Sequence, residues 1–246
     1  MGYKVLLLAL FGALGFVMGW FLNFVIYKFQ KSEKDGDIAL TREKASFLSE
    51  FLKRKYSFFG KAISVGQFSV CLINSVLWIG CAYFFYGNTL AVVVNSLMVS
   101  CLICISYIDA ATLLIPDILL AVFGAACLAR FIVNGIELWK NAFLGLALML
   151  LLTGIAYIAG RLVYKIQPLG EGDIILMAVS GFALGYQKAL LSLLAASLLA
   201  SGVMFFQNLL ERGSGRRHAF APFISVGVAL MLFFGDKLVL AFFGSI

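Results

Sequence analysis

"MGYKVLLLALFGALGFVMGWFLNFVIYKF", residues 1–29, decides the class of fold. A lysine followed by an apolar run can open a secretory signal peptide. Here the run extends for about 25 residues, beyond the 7–15 of a signal h-region, and no A-x-A cleavage pattern follows it. A hydrophobic stretch of roughly 20 residues crosses a bilayer as one α-helix. The expectation is therefore a first spanning helix.

The rest of the chain repeats this character. Of the 246 residues, 63% are hydrophobic and 13% charged, and the mean hydropathy is +1.02. A soluble domain carries about 25% charged residues. The composition predicts an all-α, polytopic membrane protein, since helices satisfy their own backbone groups in lipid. Apolar stretches at 4–28, 65–86, 89–108, 116–134, 140–161, 173–186, 188–210 and 219–243 predict eight spans. The sixth is short, and its boundary with the seventh rests on "GYQK" (185–188). Seven spans result if those two form one broken or re-entrant element.

Two regions follow: 1–64, the first helix plus a hydrophilic loop, and 65–246, the membrane core. The loop, 30–61, holds eight Lys or Arg, five Asp or Glu and no cysteine. Its "REKASFLSEFLKRKYSFF" (42–59) has apolar residues near helical spacing. It reads as a solvated or interfacial segment, with a part in substrate handling as the alternative. Placing the loop in the cytoplasm leaves 14 Lys or Arg on that side and five on the other, which satisfies the positive-inside rule. The net charge of +7 thus reflects membrane topology, and no nucleic-acid partner is expected.

Metal chemistry finds little support. Cys71, Cys81, Cys101, Cys104 and Cys127 all lie in apolar runs, and His218 is the single histidine. Cys101 and Cys104 form a CxxC without a second pair, while a structural zinc site needs four ligands. The cysteines read as small hydrophobic side chains of helices.

Chemistry is better sought among the acids. Of twelve, five lie in the 30–61 loop, and Glu137, Glu211 and Asp236 lie at other loops or helix ends. Asp109, Asp117, Glu171 and Asp173 remain. Carboxylates in or at the edge of a membrane are costly and usually functional. The predicted topology puts all four at the cytoplasmic edge. Two carboxylates that lie close share a proton; the ionised one can activate water and the other can donate to a scissile carbonyl. Structural roles compete for them. Asp117, directly after Pro116, suits a cap or first helical turn, and Asp173 can cap its own helix. Glu171 reads as exposed. Gly170 and Gly172 favour close backbone approach, as a peptide-binding cleft would need.

Other protease chemistries lack parts. HExxH is absent, a Ser–His pair would have to use His218 within "ERGSGRRHAF" (211–220), and no buried lysine completes a Ser–Lys dyad. From another functional class, a small proton- or cation-coupled transporter or channel would also keep membrane aspartates. Its carboxylates would be expected mid-bilayer rather than gathered at one face.

With these residues in hand, the chain resembles the type IV prepilin peptidase family of bacterial GxGD intramembrane aspartyl proteases. "GEGD" (170–173) matches the GxGD motif, and "IDAATLLIPD" (108–117) the family's Asp followed by Ile/Leu-Pro-Asp. "GFVMGWFLNFVIYKF" (15–29), which includes Asn23, resembles the first helix, and "FAPFISVG" (220–227), which includes Pro222, the Phe-Gly-Pro-Phe-Leu segment. The resemblance implies that Asp109 and Asp173, 64 residues apart, are the catalytic pair, with Gly170, Gly172, Pro116, Asp117, Asn23 and Pro222 in support. It implies cleavage of basic leader peptides from prepilin or pseudopilin substrates at the cytoplasmic face of the bacterial inner membrane, in service of type IV pili, type II secretion or competence. No cofactor is required for proteolysis. Many members carry two CxxC pairs in the loop after the first helix, bind zinc there and methylate the product from S-adenosylmethionine. The cysteine-free loop makes zinc unexpected and leaves methylation doubtful. Ile175 stands where a lysine is common, and Ala221 where the family has glycine.

Overall fold

The computed structural model describes residues 2–34, 65–135, 139–163, 169–210 and 219–244. The expectation for the 30–61 loop falls almost wholly outside them, as does His218.

The described residues form eight helices: α1 (Gly2–Lys34), α2 (Val65–Phe84), α3 (Thr89–Thr112), α4 (Asp117–Asn134), α5 (Trp139–Val163), α6 (Glu171–Leu184), α7 (Tyr186–Leu210) and α8 (Ala221–Phe243). Six are long and apolar enough to cross a membrane. The chain is a polytopic helical membrane protein, as its composition predicts. α6, with 14 residues, is about 21 Å long at 1.5 Å per residue, short of the ~30 Å hydrocarbon core. α6 and α7 are separate helices. Gly185 between them has φ 79°, a left-handed conformation that favours glycine. Its N–H still bonds to Gly181 O at 2.9 Å, while the Tyr186 N–H donates to Asn141 Oδ1 at 3.1 Å.

Packing divides the chain into Met1–Ile79 and Gly80–Ile246, with the boundary inside α2. In the first unit small residues bring α1 onto α2. A Cβ on Gly19 would lie 2.6 Å from Cys71 Cα, and one on Gly15 2.8 Å from Trp78 Cβ. The GxxxG of residues 15–19 is thus a close-packing face. Polar side chains tie the same pair: Asn74 Nδ2 donates to Gly15 O at 2.7 Å, and Ser75 Oγ to Gly12 O at 2.8 Å.

In the second unit α3 is the innermost span. Of its most apolar window 72% is buried, against 33% or less in the other five spans. α3 packs on α4 and α8; α6 is surrounded by α4, α5, α7 and α8. The α5–α6 contact again uses glycine, since a Cβ on Gly181 would lie 2.5 Å from Gly145 O. Cys81, Cys104 and Cys127 are buried among these helices and Cys101 is half-buried, as their apolar surroundings predict.

Candidate active site

The last turn of α3 positions Asp109. The helix closes on Leu113, whose φ of 57° and ψ of 26° are left-handed and whose N–H returns to Asp109 O at 2.8 Å. A branched residue there is strained unless its surroundings hold it. Thr112 helps: its Oγ1 donates to Ile108 O at 2.8 Å and accepts from the Leu114 N–H at 3.3 Å. The chain then turns through Ile115 to Pro116, which caps α4 with φ −66°. Proline suits that place, since a helix start leaves its N–H without an intrahelical partner.

Asp109 is 5% exposed, and its Oδ2 accepts the N–H of Ala221 at 3.0 Å. Ala221 is the first residue of α8, so a side chain from α3 fills the role of a cap across the bundle. Pro222 follows within the first turn of α8, where its missing N–H costs nothing. One turn before Asp109, Ser106 Oγ bonds Ser225 Oγ at 2.7 Å, fixing α3 to α8 at the same end.

Asp173 begins at the third position of α6 and is 8% exposed. Its Oδ2 accepts the Gly170 N–H at 3.3 Å, and its own N–H donates to Gly170 O at 3.1 Å. This is the backward half of a capping box. The other oxygen, Oδ1, is buried and makes no hydrogen bond. The capping role weighed from sequence is therefore real, and it occupies one oxygen only. The start of α6 packs on the turn after α3, at Gly172 and Ile115, so the two buried carboxylates stand at the same end of the bundle.

The motif glycines have distinct tasks. A Cβ on Gly170 would sit 3.2 Å from Asp173 Oδ2, crowding the carboxylate. A Cβ on Gly172 would sit 2.9 Å from Ile115 Cβ, so its absence lets the start of α6 press against the turn after α3. Asp117 is exposed in the first turn of α4, where the helix dipole favours a negative charge. Glu171 is exposed too. Asn23 belongs to the first unit, and its Nδ2 donates to Gln67 O at 2.8 Å, tying α1 to α2. Ala221, Ile115 and Ser225 were not singled out as site residues from sequence. Their signal was present in the Ile-Pro-Asp and Phe-Ala-Pro-Phe segments, but hydropathy gives no reason for those segments to meet.

A zinc centre does not fit the described residues. They hold no group of three or more His, Cys, Asp or Glu placed to share a metal, and the 101–104 CxxC is turned into the middle of α3.

These features define a helical membrane protein with two buried carboxylates converging at one end of its bundle. A family model described as the type IV leader peptidase family matches residues 96–205. Over those residues the chain is similar to that family of membrane proteases. The match spans both Asp109 and Asp173. No curated protein and no solved structure matches the chain.

Proposed function

We propose that the protein is an endopeptidase that removes basic leader peptides from prepilin-like or pseudopilin substrates, with Asp109 and Asp173 as its catalytic pair. One observation carries this reading: two buried carboxylates from separate helices stand at the same end of the bundle, where the start of α6 meets the turn after α3, and Asp173 keeps a buried oxygen, Oδ1, without a hydrogen bond. A backbone amide holds Oδ2 of each carboxylate.

In the reaction the pair holds one proton. The ionised carboxylate takes a proton from water as the water oxygen forms a bond to the scissile carbonyl carbon. The protonated carboxyl donates to the carbonyl oxygen, giving a neutral tetrahedral diol. When the C–N bond breaks, the carboxyl passes its proton to the leaving amine nitrogen while the other carboxylate takes a proton from one diol hydroxyl, which releases the new carboxyl terminus and leaves the pair with one proton. Gly170 keeps a side chain off Asp173 Oδ2, Gly172 lets the start of α6 press against Ile115, and Pro116 and Pro222 start the helices that flank Asp109. Asp117 supports the start of α4. The apolar part of a substrate would lie along the spans, with its basic leader at the cytoplasmic face, the side favoured by the lysine and arginine distribution. Pili, secretion pseudopili and DNA-uptake fibres are the machines such products build. No step requires S-adenosylmethionine.

The test is coexpression with a pseudopilin carrying a basic leader. Asp109→Asn and Asp173→Asn should each slow leader removal by about 10²–10⁴-fold or more, the scale of a lost general acid or base. Processing at the native rate by either variant refutes the assignment. Mass spectrometry of the product's N-terminus would report the cut site and any methylation together.

A further inference from the structure

A second polar feature lies far from the aspartates. Asn95 stands 14 residues before Asp109 on α3, about 21 Å away along the helix. At that end of the bundle a cavity of about 280 Å³ is lined by Arg130, Phe131, Asn141, Phe182, Gln187 and Lys188, among others. For scale, a cavity of about 150 Å³ holds benzene.

Arg130 is 7% exposed. Its Nε donates to Ala183 O at 3.3 Å, its Nη1 donates to Asn95 Oδ1, and its guanidinium lies 5.7 Å from the Phe85 ring. Each of these partners is neutral. The carboxylate in the described lining, Asp236, is bound to Lys188 Nζ at 2.6 Å. Among the described residues the lining therefore holds two cations and one carboxylate. A buried cation costs several kcal/mol unless an opposite charge and hydrogen bonds compensate it. A guanidinium fork matches phosphate oxygens, and a phospholipid presents that group at the membrane surface.

We propose that this cavity binds the phosphate of an anionic phospholipid headgroup. Arg130 is the main contact, Lys188 the second, and Asn141 and Gln187 supply amide donors. Phe131 and Phe182 give the apolar wall along which the glycerol and acyl chains leave. Asp236 competes with the phosphate for Lys188, and its side chain, 93% exposed, can be displaced at little cost.

The full chain, delipidated in a neutral detergent, should be titrated with phosphatidylglycerol, with phosphatidylcholine and with inorganic phosphate. Retained lipid is read by native mass spectrometry and stability by the thermal midpoint. Phosphatidylglycerol should be retained as a single molecule and raise the midpoint, while phosphatidylcholine does neither. Lys188→Gln should weaken retention about tenfold, the loss of one charge-assisted contact, and Arg130→Gln at least as much. Arg130 is buried and its variant can fail to fold, so Asp236→Asn is the second arm: freeing Lys188, it should tighten retention. A midpoint raised by inorganic phosphate and no further by the lipid supports the phosphate site and assigns it to the free anion. The proposal is overturned if neither phosphate source acts, or if Asp236→Asn weakens binding. It is also overturned if Glu137→Gln creates binding that the native chain lacks, since Glu137 would then be the counter-ion of Arg130.

Discussion

Asp109 and Asp173 each commit one oxygen to a backbone amide, and neither is held by a cation among the described residues. A carboxylate fixed in this way stays oriented while remaining free to exchange its proton. The amide on Asp109 belongs to Ala221, and its side chain plays no part in that bond. Ala221→Gly, which keeps the N–H, should therefore retain leader removal, checked in the same coexpression assay. Gly172 makes the opposite prediction. With Ile115 Cβ 2.9 Å from the site of any added Cβ, Gly172→Val should force the start of α6 away from the turn after α3. Overpacking of this kind costs about 1–3 kcal/mol. Because the displaced segment carries Asp173, cleavage should fall more than the thermal midpoint in detergent does.

Helix α6 is the element on which the site turns. It is too short to span, yet it packs on four neighbours and presents Asp173 from its first turn. Its depth is set by the glycine contact with α5, where a Cβ on Gly181 would come within 2.5 Å of the Gly145 carbonyl. Both sides of that contact are backbone, so no rotamer change relieves a clash. Gly145→Ala should lower stability by about 1–3 kcal/mol, read as a drop in thermal midpoint. The hydropathy pattern marks this stretch as membrane-embedded and short. It leaves open whether 173–210 is one broken element or two helices, because the answer depends on Gly185 taking φ 79° while Asn141 of α5 accepts the next amide. That contact is invisible to any count along the chain.

For the whole molecule, charge counting predicts that the aspartate end of the bundle faces the cytoplasm. Leu114, 60% exposed in the turn after Asp109, offers a reporter. In intact cells Leu114→Cys should be shielded from a membrane-impermeant maleimide and should react once the inner face is opened. Lys140→Cys, at the start of α5, should show the reverse. Labelling of Leu114→Cys from outside would invert the topology and remove the aspartates from the side where basic leaders lie.

The linear sequence by itself determined the membrane class, the approximate spans and the four carboxylates placed at helix ends. Those properties follow from transfer free energies, which sum locally along a chain. Only the tertiary structure decided that the amide of Ala221 reaches Asp109, that Asp173 keeps one oxygen without a partner, and that Arg130 closes a cavity at the other end. Each depends on helices distant in sequence meeting at a particular depth and rotation. For α5 and α6 backbone-to-backbone contacts at Gly145 and Gly181 set that meeting, and hydropathy carries no information about it.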